Sequence, residues 1–217
     1  MIVDLDLNGK TVIVIGGGNE ALKRISSLLK QGCEIIVISD SVIAQVNKLA
    51  KAKKIKIKKK KVNDMGFISK LKPNMIITTT DDQILNHEIV SAAKKNKIIA
   101  YSSDNPEESD FSNPAIIDFE NIIQIAIFTG GRSPAMSKKI RLQTEKIFKN
   151  IITKGDIEQI KIQQIARTRA KEKINTQIRR KAFLKNIMSD KEIKQLIEDG
   201  KPKKAENRVM TILRDWK

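Results

Sequence analysis

Hydrophobic and polar residues follow two distinct patterns over the first hundred positions. Continuous β-branched runs, Thr11–Ile15 and then CEIIVIS after Gly32, are typical of strands that are buried on both faces of a parallel sheet. Between these runs Ala21, Ile25 and Leu28 are spaced as one face of a helix, which Gly32 is expected to end. The alternation of strand and helix predicts a parallel sheet with right-handed crossovers.

The same alternation continues to about residue 104. The segments follow in the order helix VIAQVNKLAKA, strand KIKIKKKKV, strand NMIITTT, helix DDQILNHEIVSAAKKNK and strand KIIAYSS. Isoleucines alternate with lysines in the first of these strands, which predicts a sheet edge where solvated lysines oppose strand addition; a nuclear or nucleic-acid signal is the alternative. Asp81 or Asp82 is expected to cap the second helix. The Asn8-Gly9 pair predicts a turn with a further short strand before it.

Beyond Asp104 the pattern changes. A polar loop precedes AIIDFENIIQIAIF, which predicts two strands joined at Glu120-Asn121. Ser133 and Pro134 are expected to be the N-cap and first residue of a long helix, and the chain from there onward has helical character. The predicted fold class is therefore α/β: a Rossmann-like parallel sheet, followed by a small β segment and a C-terminal helical domain.

Length and composition narrow the protein class. The 217 residues are 40% hydrophobic, enough to bury a core. No apolar run approaches the roughly 20 residues that span a bilayer, and the N-terminus lacks the pattern of a secretory signal. Cys33 has no second cysteine to pair with. These features predict a cytoplasmic protein with no membrane partner.

The formal net charge of +17 favours an anionic partner. Nucleic acid, an anionic membrane and a small polycarboxylate are the candidates, and lysines that merely solvate the surface are the alternative. Aromatic residues are only 4% of the chain, which leaves few platforms for stacked bases, so no nucleic-acid partner is predicted. His87 is a lone imidazole without Cys or His neighbours, so it is predicted to be structural and no metal ligand is assigned.

The glycine-rich turn after the first strand indicates a dinucleotide site. Gly16, Gly18 and Ala21 match G-x-G-x-x-G/A between a predicted strand and a predicted helix. The first glycine permits the tight turn, the second lets the backbone approach a pyrophosphate, and the helix N-terminus attracts it. Asp40, or Ser39 beside it, lies where a ribose hydroxyl would be held, and an aspartate there favours NAD over NADP. A tight turn in a flavodoxin-like sheet is the alternative.

Four motifs placed in order along the chain resemble those of precorrin-2 dehydrogenases, the dehydrogenase and ferrochelatase part of siroheme synthases. They are GGG-x-x-A-x-x-K/R at Gly16–Arg24, T-D-D-x-x-L-N at Thr80–Asn86, D-x-P with F-x-x-P-A between Asp104 and Ala115, and T-G-G-x-S-P at Thr129–Pro134. The resemblance covers residues 1 to about 145, and the helical tail resembles that of stand-alone members. Glu20 departs from the family's usual apolar residue. Its carboxylate is expected either to accept hydrogen bonds from backbone N–H groups or to point outward.

The resemblance implies an NAD-binding Rossmann domain at 1–113, a dimerisation segment at 114–150 and a C-terminal helical domain at 151–217. It implies a homodimer that oxidises precorrin-2, an anionic tetrapyrrole, to sirohydrochlorin with NAD in siroheme or cobalamin synthesis. Some relatives also insert Fe²⁺ or Co²⁺ into the product. No fused methyltransferase domain is expected.

The resemblance also implies the site residues. The cofactor-binding residues are Gly16, Gly17, Gly18, Asn19, Glu20, Ala21, Ser39, Asp40, Thr79, Thr80 and Asp81. The substrate-binding residues are Ser102, Ser103, Thr129, Gly130, Gly131, Arg132, Ser133 and Lys138. Asp104 follows the fifth predicted strand, at the edge where ligands of such sheets sit, and is predicted to accept the proton that accompanies hydride loss. An Asx cap on the turn before Pro106 is the alternative role.

Two other functions compete with this enzyme. An NAD-sensing regulatory module, such as those that gate ion transport, would keep the glycine turn but would need neither Asp104 nor a basic cleft. A nucleic-acid-binding protein would use the lysines alone.

Overall fold

The structure is a computed structural model that describes residues 2–216. The chain forms two compact units. The first runs to Pro114 and includes Gly130–Arg132, and the second consists of Ala115–Thr129 and the chain from Ser133 onward. Among the described residues, no helix has both the length and the apolar character needed to cross a membrane.

A five-stranded parallel sheet forms the centre of the first unit, with strand order β3-β2-β1-β4-β5. The strands are β1 (Thr11–Ile15), β2 (Glu34–Ser39), β3 (Lys56–Lys59), β4 (Met75–Thr78) and β5 (Ile99–Ser102). The helices are α1 (Asn19–Leu28), α2 (Ala44–Lys51), α3 (Gly66–Leu71) and α4 (Gln83–Lys95), with a single 3-10 turn at Pro106–Glu108. This order is that of a Rossmann fold, the sheet is parallel as the alternating pattern predicted, and β3 lies at the edge as expected.

The central strands are apolar throughout because both faces of the sheet are covered. Val12 and Val14 of β1 belong to one apolar cluster, together with residues of α1 and α2. Ile13 and Ile15 belong to a second cluster with residues of α3 and α4. All four side chains are at most 1% exposed. A run of β-branched residues without polar alternation is the sequence form that this double burial requires.

Two local predictions for the first unit are wrong, and one short helix was not predicted. Residues 2–6 form no strand; the Asn8-Gly9 turn is held instead by a hydrogen bond from Gly9 N to Gly32 O at 3.1 Å. The first helix ends at Leu28, so Gly32 does not cap it, although its φ of +66° is left-handed. The six-residue helix α3 was not predicted, because it is too short to show a helical period.

As far as Trp216, the last residue described, the second unit contains a β-hairpin and five helices. In the hairpin β6 (Ala115–Phe119) pairs antiparallel with β7 (Ile123–Ile127). Glu120 and Asn121 have φ of +54° and +58°, so both central turn residues are left-handed, and the turn lies where it was predicted. The helices are α5 (Pro134–Ile151), α6 (Lys154–Lys173), α7 (Gln177–Ser189), α8 (Lys191–Glu198) and α9 (Pro202–Asp215).

The C-terminal helices enclose a core of their own around Phe183. This ring is fully buried and meets the Trp216 ring edge to face, with 5.2 Å between centroids. Ser133 caps α5 as predicted, because its side chain accepts a hydrogen bond from Met136 N at 3.2 Å. The break before α7 was not predicted. Thr176 caps that helix, and no glycine or proline marks the break in the sequence.

Thr153→Ala should weaken the start of α6 by about 0.5–2 kcal/mol at neutral pH. Thr153 Oγ1 accepts from Asp156 N at 3.2 Å, and Asp156 Oδ2 accepts from Thr153 N at 2.8 Å. These Thr153 hydrogen bonds lower the pKa of Asp156 below its usual 3.8. Because the folded pKa lies below the unfolded one, the carboxylate's contribution is present above pH 3.8 and is lost as pH falls through the folded pKa.

Urea unfolding followed by Trp216 fluorescence tests this prediction. The difference in free energy of unfolding between Thr153→Ala and the parent protein should become smaller at acidic pH. Thr168→Ala, the same change at an exposed position within α6, serves as the control and should not lower stability, because alanine has the higher helix propensity. An equal loss of stability in both variants would contradict the capping account.

Candidate active site

Gly16 turns the chain sharply between β1 and α1. Its φ of +107° is one that side-chain-bearing residues rarely adopt. A Cβ at this position would lie 2.5 Å from Thr79 Oγ1 and 3.0 Å from Thr79 O. Thr79 is held there because its Oγ1 donates to Ile15 O at 2.8 Å. Only glycine fits, as the motif predicted.

Gly17 is needed for a reason that the motif does not reveal. A Cβ on Gly17 would lie 2.3 Å from Ser41 O and 2.6 Å from Val42 Cγ1. Ile43 N donates to Gly17 O at 2.9 Å, which binds the turn to the segment after β2. The sequence shows a glycine here, but the segment that approaches it is known only from the fold.

Gly18 faces open space. It is the N-cap residue of α1 and makes no side-chain cap, and no atom of the described residues lies within 4 Å of an added Cβ. The first-turn N–H groups of a helix without a side-chain cap remain available to an anion, which the helix dipole also attracts. This opening suits a pyrophosphate, so the residues present fit a dinucleotide.

Glu20 points away from the backbone N–H groups of α1. Its carboxylate accepts from Lys23 Nζ at 2.9 Å and also pairs with the Arg24 guanidinium. Burial raises the pKa of Glu20, but the hydrogen bond from Lys23 and the charge of Arg24 outweigh it and hold the pKa below its usual range. Arg24 in turn lies over the Tyr101 ring, 4.8 Å from its centroid. The carboxylate that departed from the family pattern is therefore neutralised by its neighbours.

The other predicted cofactor residues also lie at the carboxyl edge of the sheet. Ser39 ends β2, and its Oγ donates to Ser41 O at 2.6 Å. Asp40 follows and is exposed. Asn19 and Asp81 are exposed, Thr80 is half-buried, and Ala21 is fully buried against the sheet. The fold therefore brings the two arms of the predicted cofactor site, after β1 and after β2, to one edge.

Asp104 is held by two side-chain donors. Ser102 Oγ donates to Asp104 Oδ1 at 2.6 Å and Asn86 Nδ2 donates to the same oxygen at 2.9 Å. Asn86 is fixed in turn by Thr80, whose Oγ1 donates to Asn86 Oδ1 at 2.7 Å. Thr78 Oγ1 lies 3.1 Å from Ser102 Oγ. This network favours a positioned carboxylate over the Asx-cap alternative.

Asn86 and Thr78 are the two residues of this network whose roles were not predicted, although Asn86 lies within a motif. Asn86 is 1% exposed and holds the Asp104 carboxylate from α4. Ser103, next to Asp104, has a buried Oγ that finds no hydrogen-bond partner among the described residues. Asp82, one of two predicted caps, does cap α4 by accepting from Leu85 N at 3.0 Å.

A cavity of about 370 Å³ opens at Asp104. His87 lines it with its Nδ1 2.9 Å from both carboxylate oxygens of Glu108. Within residues 2–216 no three His, Cys, Asp or Glu side chains are grouped so that they could hold a metal ion. The cavity is lined by Gln83, Ile84, His87, Ser102, Asp104, Asn105 and Glu108.

The TGGRSP turn is stabilised by its own side chains. Thr129 Oγ1 accepts from Ser133 N at 3.3 Å and lies 2.9 Å from Ser137 Oγ. Gly130 and Gly131 have φ of +65° and +75°, which explains both glycines. The predicted anion-binding side chains, Arg132 and Lys138, are exposed.

Asn86→Ala should lower the free energy of unfolding by about 1–3 kcal/mol, because it removes a buried amide together with its hydrogen bonds to Thr80 and Asp104. Urea unfolding measures this loss. Asn47→Ala, on the exposed face of α2, is the matched control and should stay within about 0.5 kcal/mol of the parent. A stable Asn86→Ala variant would show that the network contributes little to folding.

Comparisons with known proteins agree with this geometry. A family model described as "Putative NAD(P)-binding" matches residues 3–115. A precorrin-2 dehydrogenase of Priestia megaterium is 30% identical over 139 residues, which are 64% of this chain and 66% of the relative. A siroheme synthase of Blochmanniella floridana is 30% identical over 204 residues, 94% of this chain and 42% of the relative.

The whole fold also has a solved counterpart. The structure titled "SirC, precorrin-2 dehydrogenase" matches with a TM-score of 0.70 at 22% identity, over 97% of this chain and 99% of that one. This match confirms the predicted fold class. The chain spans 66% of the curated precorrin-2 dehydrogenase and less than half of the siroheme synthases it matches. The chain belongs to this NAD(P)-binding family, and the resemblance to precorrin-2 dehydrogenases predicted from its four motifs is confirmed.

Proposed function

We propose that this chain is an NAD-dependent precorrin-2 dehydrogenase that forms sirohydrochlorin for siroheme or cobalamin synthesis. One observation carries the proposal: the oriented Asp104 carboxylate follows β5 at the same sheet edge as the open Gly18 turn after β1. A nucleotide site and a proton acceptor at one edge suit an oxidation that moves a hydride and a proton. The names of the curated relatives support the choice of substrate.

The chain's own residues supply the cofactor site. The N–H groups of Gly18 and the first turn of α1 would hold the pyrophosphate, and Asp40 or Ser39 would hold a ribose hydroxyl. Thr79, Thr80 and Asp81 would line the site from the end of β4. Bound NAD⁺ supplies the hydride acceptor.

Asp104 takes the proton in this mechanism. Precorrin-2 loses one hydride and one proton as it becomes sirohydrochlorin, which balances as NAD⁺ plus substrate giving NADH, product and H⁺. Both donors to Asp104 bind Oδ1, so Ser102 and Asn86 fix the orientation of the carboxylate towards the cavity. Positioned general bases contribute roughly 10²–10⁴-fold to a rate.

The substrate's carboxylates explain part of the chain's positive charge. Arg132 and Lys138 would attract them, with Ser102, Ser103 and the Thr129–Ser133 turn as polar contacts.

The domain plan predicted from the sequence is also part of the proposal. Residues 1–113 would bind NAD, 114–150 would form the contacts of a homodimer, and 151–217 would form the helical domain. Exposed apolar side chains on α5, among them Leu142, Ile147 and Ile151, support an interface in this part of the chain. A cytoplasmic location and insertion of Fe²⁺ or Co²⁺ with Asp104 as base belong to the same proposal.

Anaerobic mixing of the protein, NAD⁺ and precorrin-2 tests the activity. The proposal predicts equal amounts of NADH and sirohydrochlorin, followed by their absorbance. Addition of Fe²⁺ or Co²⁺ afterwards tests metal insertion separately. NAD⁺ binding without turnover would overturn the enzyme assignment and favour the NAD-sensing module.

A further inference from the structure

The end of the edge strand β3 lies beside the acidic residue that follows β2. In the parallel pairing Lys59 is opposite Ser39, and Lys60 N donates to Ser39 O at 3.1 Å. Neighbouring strands are about 4.8 Å apart. The lysines that end β3 therefore border the place proposed for the adenosine ribose, next to Asp40.

These lysines outnumber the acidic residue beside them, Asp40. Lys58, Lys59, Lys60 and Lys61 are consecutive and exposed, and within the described chain none of them forms an ion pair. At the opposite end of the same strand Lys56 does pair, with Glu34 of β2. The charge at the carboxyl end of β3 is therefore available to an external anion.

Asp40 alone would disfavour a phosphate at the ribose. It is exposed, and among residues 2–216 its carboxylate accepts only a long hydrogen bond from Ser41 Oγ at 3.4 Å. A phosphate monoester carries a charge of about −1.5 to −2 at neutral pH. One carboxylate repels that group, but several ammonium groups on flexible four-carbon stems beside it attract it more strongly.

We propose that Lys59, Lys60 and Lys61 supply the cations of a 2′-phosphate subsite, so that the chain binds NADP⁺ as well as NAD⁺. The inference rests on the proposed cofactor site and adds its specificity. It modifies the preference for NAD that Asp40 alone predicts. The preference for NAD⁺ over NADP⁺ should be small at low ionic strength. It should increase with salt, because the lysine contacts are exposed and salt screens them.

Calorimetric titration of the full chain with each nucleotide tests the subsite. At low salt the Kd for NADP⁺ should lie within about tenfold of the Kd for NAD⁺. The double variant Lys60→Ala with Lys61→Ala should weaken NADP⁺ binding roughly tenfold and leave NAD⁺ within about threefold. Asp40→Asn should strengthen NADP⁺ binding.

Lys51→Ala with Lys54→Ala provides the matched control. This double variant removes the same charge before the amino end of β3, away from the ribose position. It should change the affinities for NAD⁺ and NADP⁺ alike. If NAD⁺ binds and NADP⁺ binds more than a hundredfold weaker, or if both double variants behave alike, the subsite is wrong while the cofactor site stands. If the folded protein binds neither nucleotide, the proposed function itself fails.

Discussion

Replacing Asp104 by asparagine is expected to lower kcat for precorrin-2 oxidation by roughly 10²–10⁴-fold. The amide has the same shape, and its oxygen can still accept from Ser102 and Asn86, so the network and the fold should survive. What it loses is the ability to take a proton. Affinity for NAD⁺ should stay within about threefold, less than 1 kcal/mol. Steady-state NADH formation and nucleotide titration on one preparation measure both quantities.

Glu107→Gln is the control for that variant. Glu107 lies in the 3-10 turn after Asp104, is exposed, and does not line the cavity. The substitution removes one carboxylate from the same loop and should leave kcat unchanged. Normal turnover by Asp104→Asn would show that another group accepts the proton.

Gly18→Ala is expected to weaken NAD⁺ binding by roughly 10- to 100-fold without destabilising the protein. The new methyl group would enter open space in the protein, so the fold has no clash to relieve. That same space is where the pyrophosphate is proposed to lie, and a methyl group crowding a close contact costs roughly 1–3 kcal/mol. Nucleotide titration and thermal unfolding of the variant measure the two effects.

Gly17→Ala provides the contrast one residue earlier. Its methyl group would meet Ser41 O at 2.3 Å, so it should destabilise the first unit itself by about 1–3 kcal/mol or more. At roughly 2–4 °C per kcal/mol, the loss is visible as a lower Tm. If Gly18→Ala bound NAD⁺ normally, the pyrophosphate would lie elsewhere.

The parallel sheet and the location of the site at its carboxyl edge were predictable, because both depend on local and periodic patterns in the sequence. Thr11–Ile15 has no polar alternation, which only double burial explains, and Gly16 stands where the chain must turn back along the sheet. Asp104 could be assigned to the ligand edge because parallel strands end together. The hairpin turn at Glu120-Asn121 and the Ser133 cap were predictable from residue type alone.

The features that were missed depend on contacts between distant segments. Gly17 is explained by Ser41 and Val42, which the crossover after β2 brings beside it. Asn86 holds Asp104 across 18 positions of sequence, so nothing near either residue indicates the hydrogen bond. The strand expected before Asn8-Gly9 does not form, because Gly9 donates its backbone hydrogen bond to Gly32 and not to a hairpin partner.

Equilibrium dialysis of the purified, folded chain against NAD⁺ measures whether a nucleotide binds at the glycine turn, which the oxidation of precorrin-2 requires. We expect saturable uptake approaching one nucleotide per chain, and a clear loss of uptake in Gly18→Ala. Absence of uptake by the folded parent protein, or equal uptake by parent and variant, would contradict this expectation.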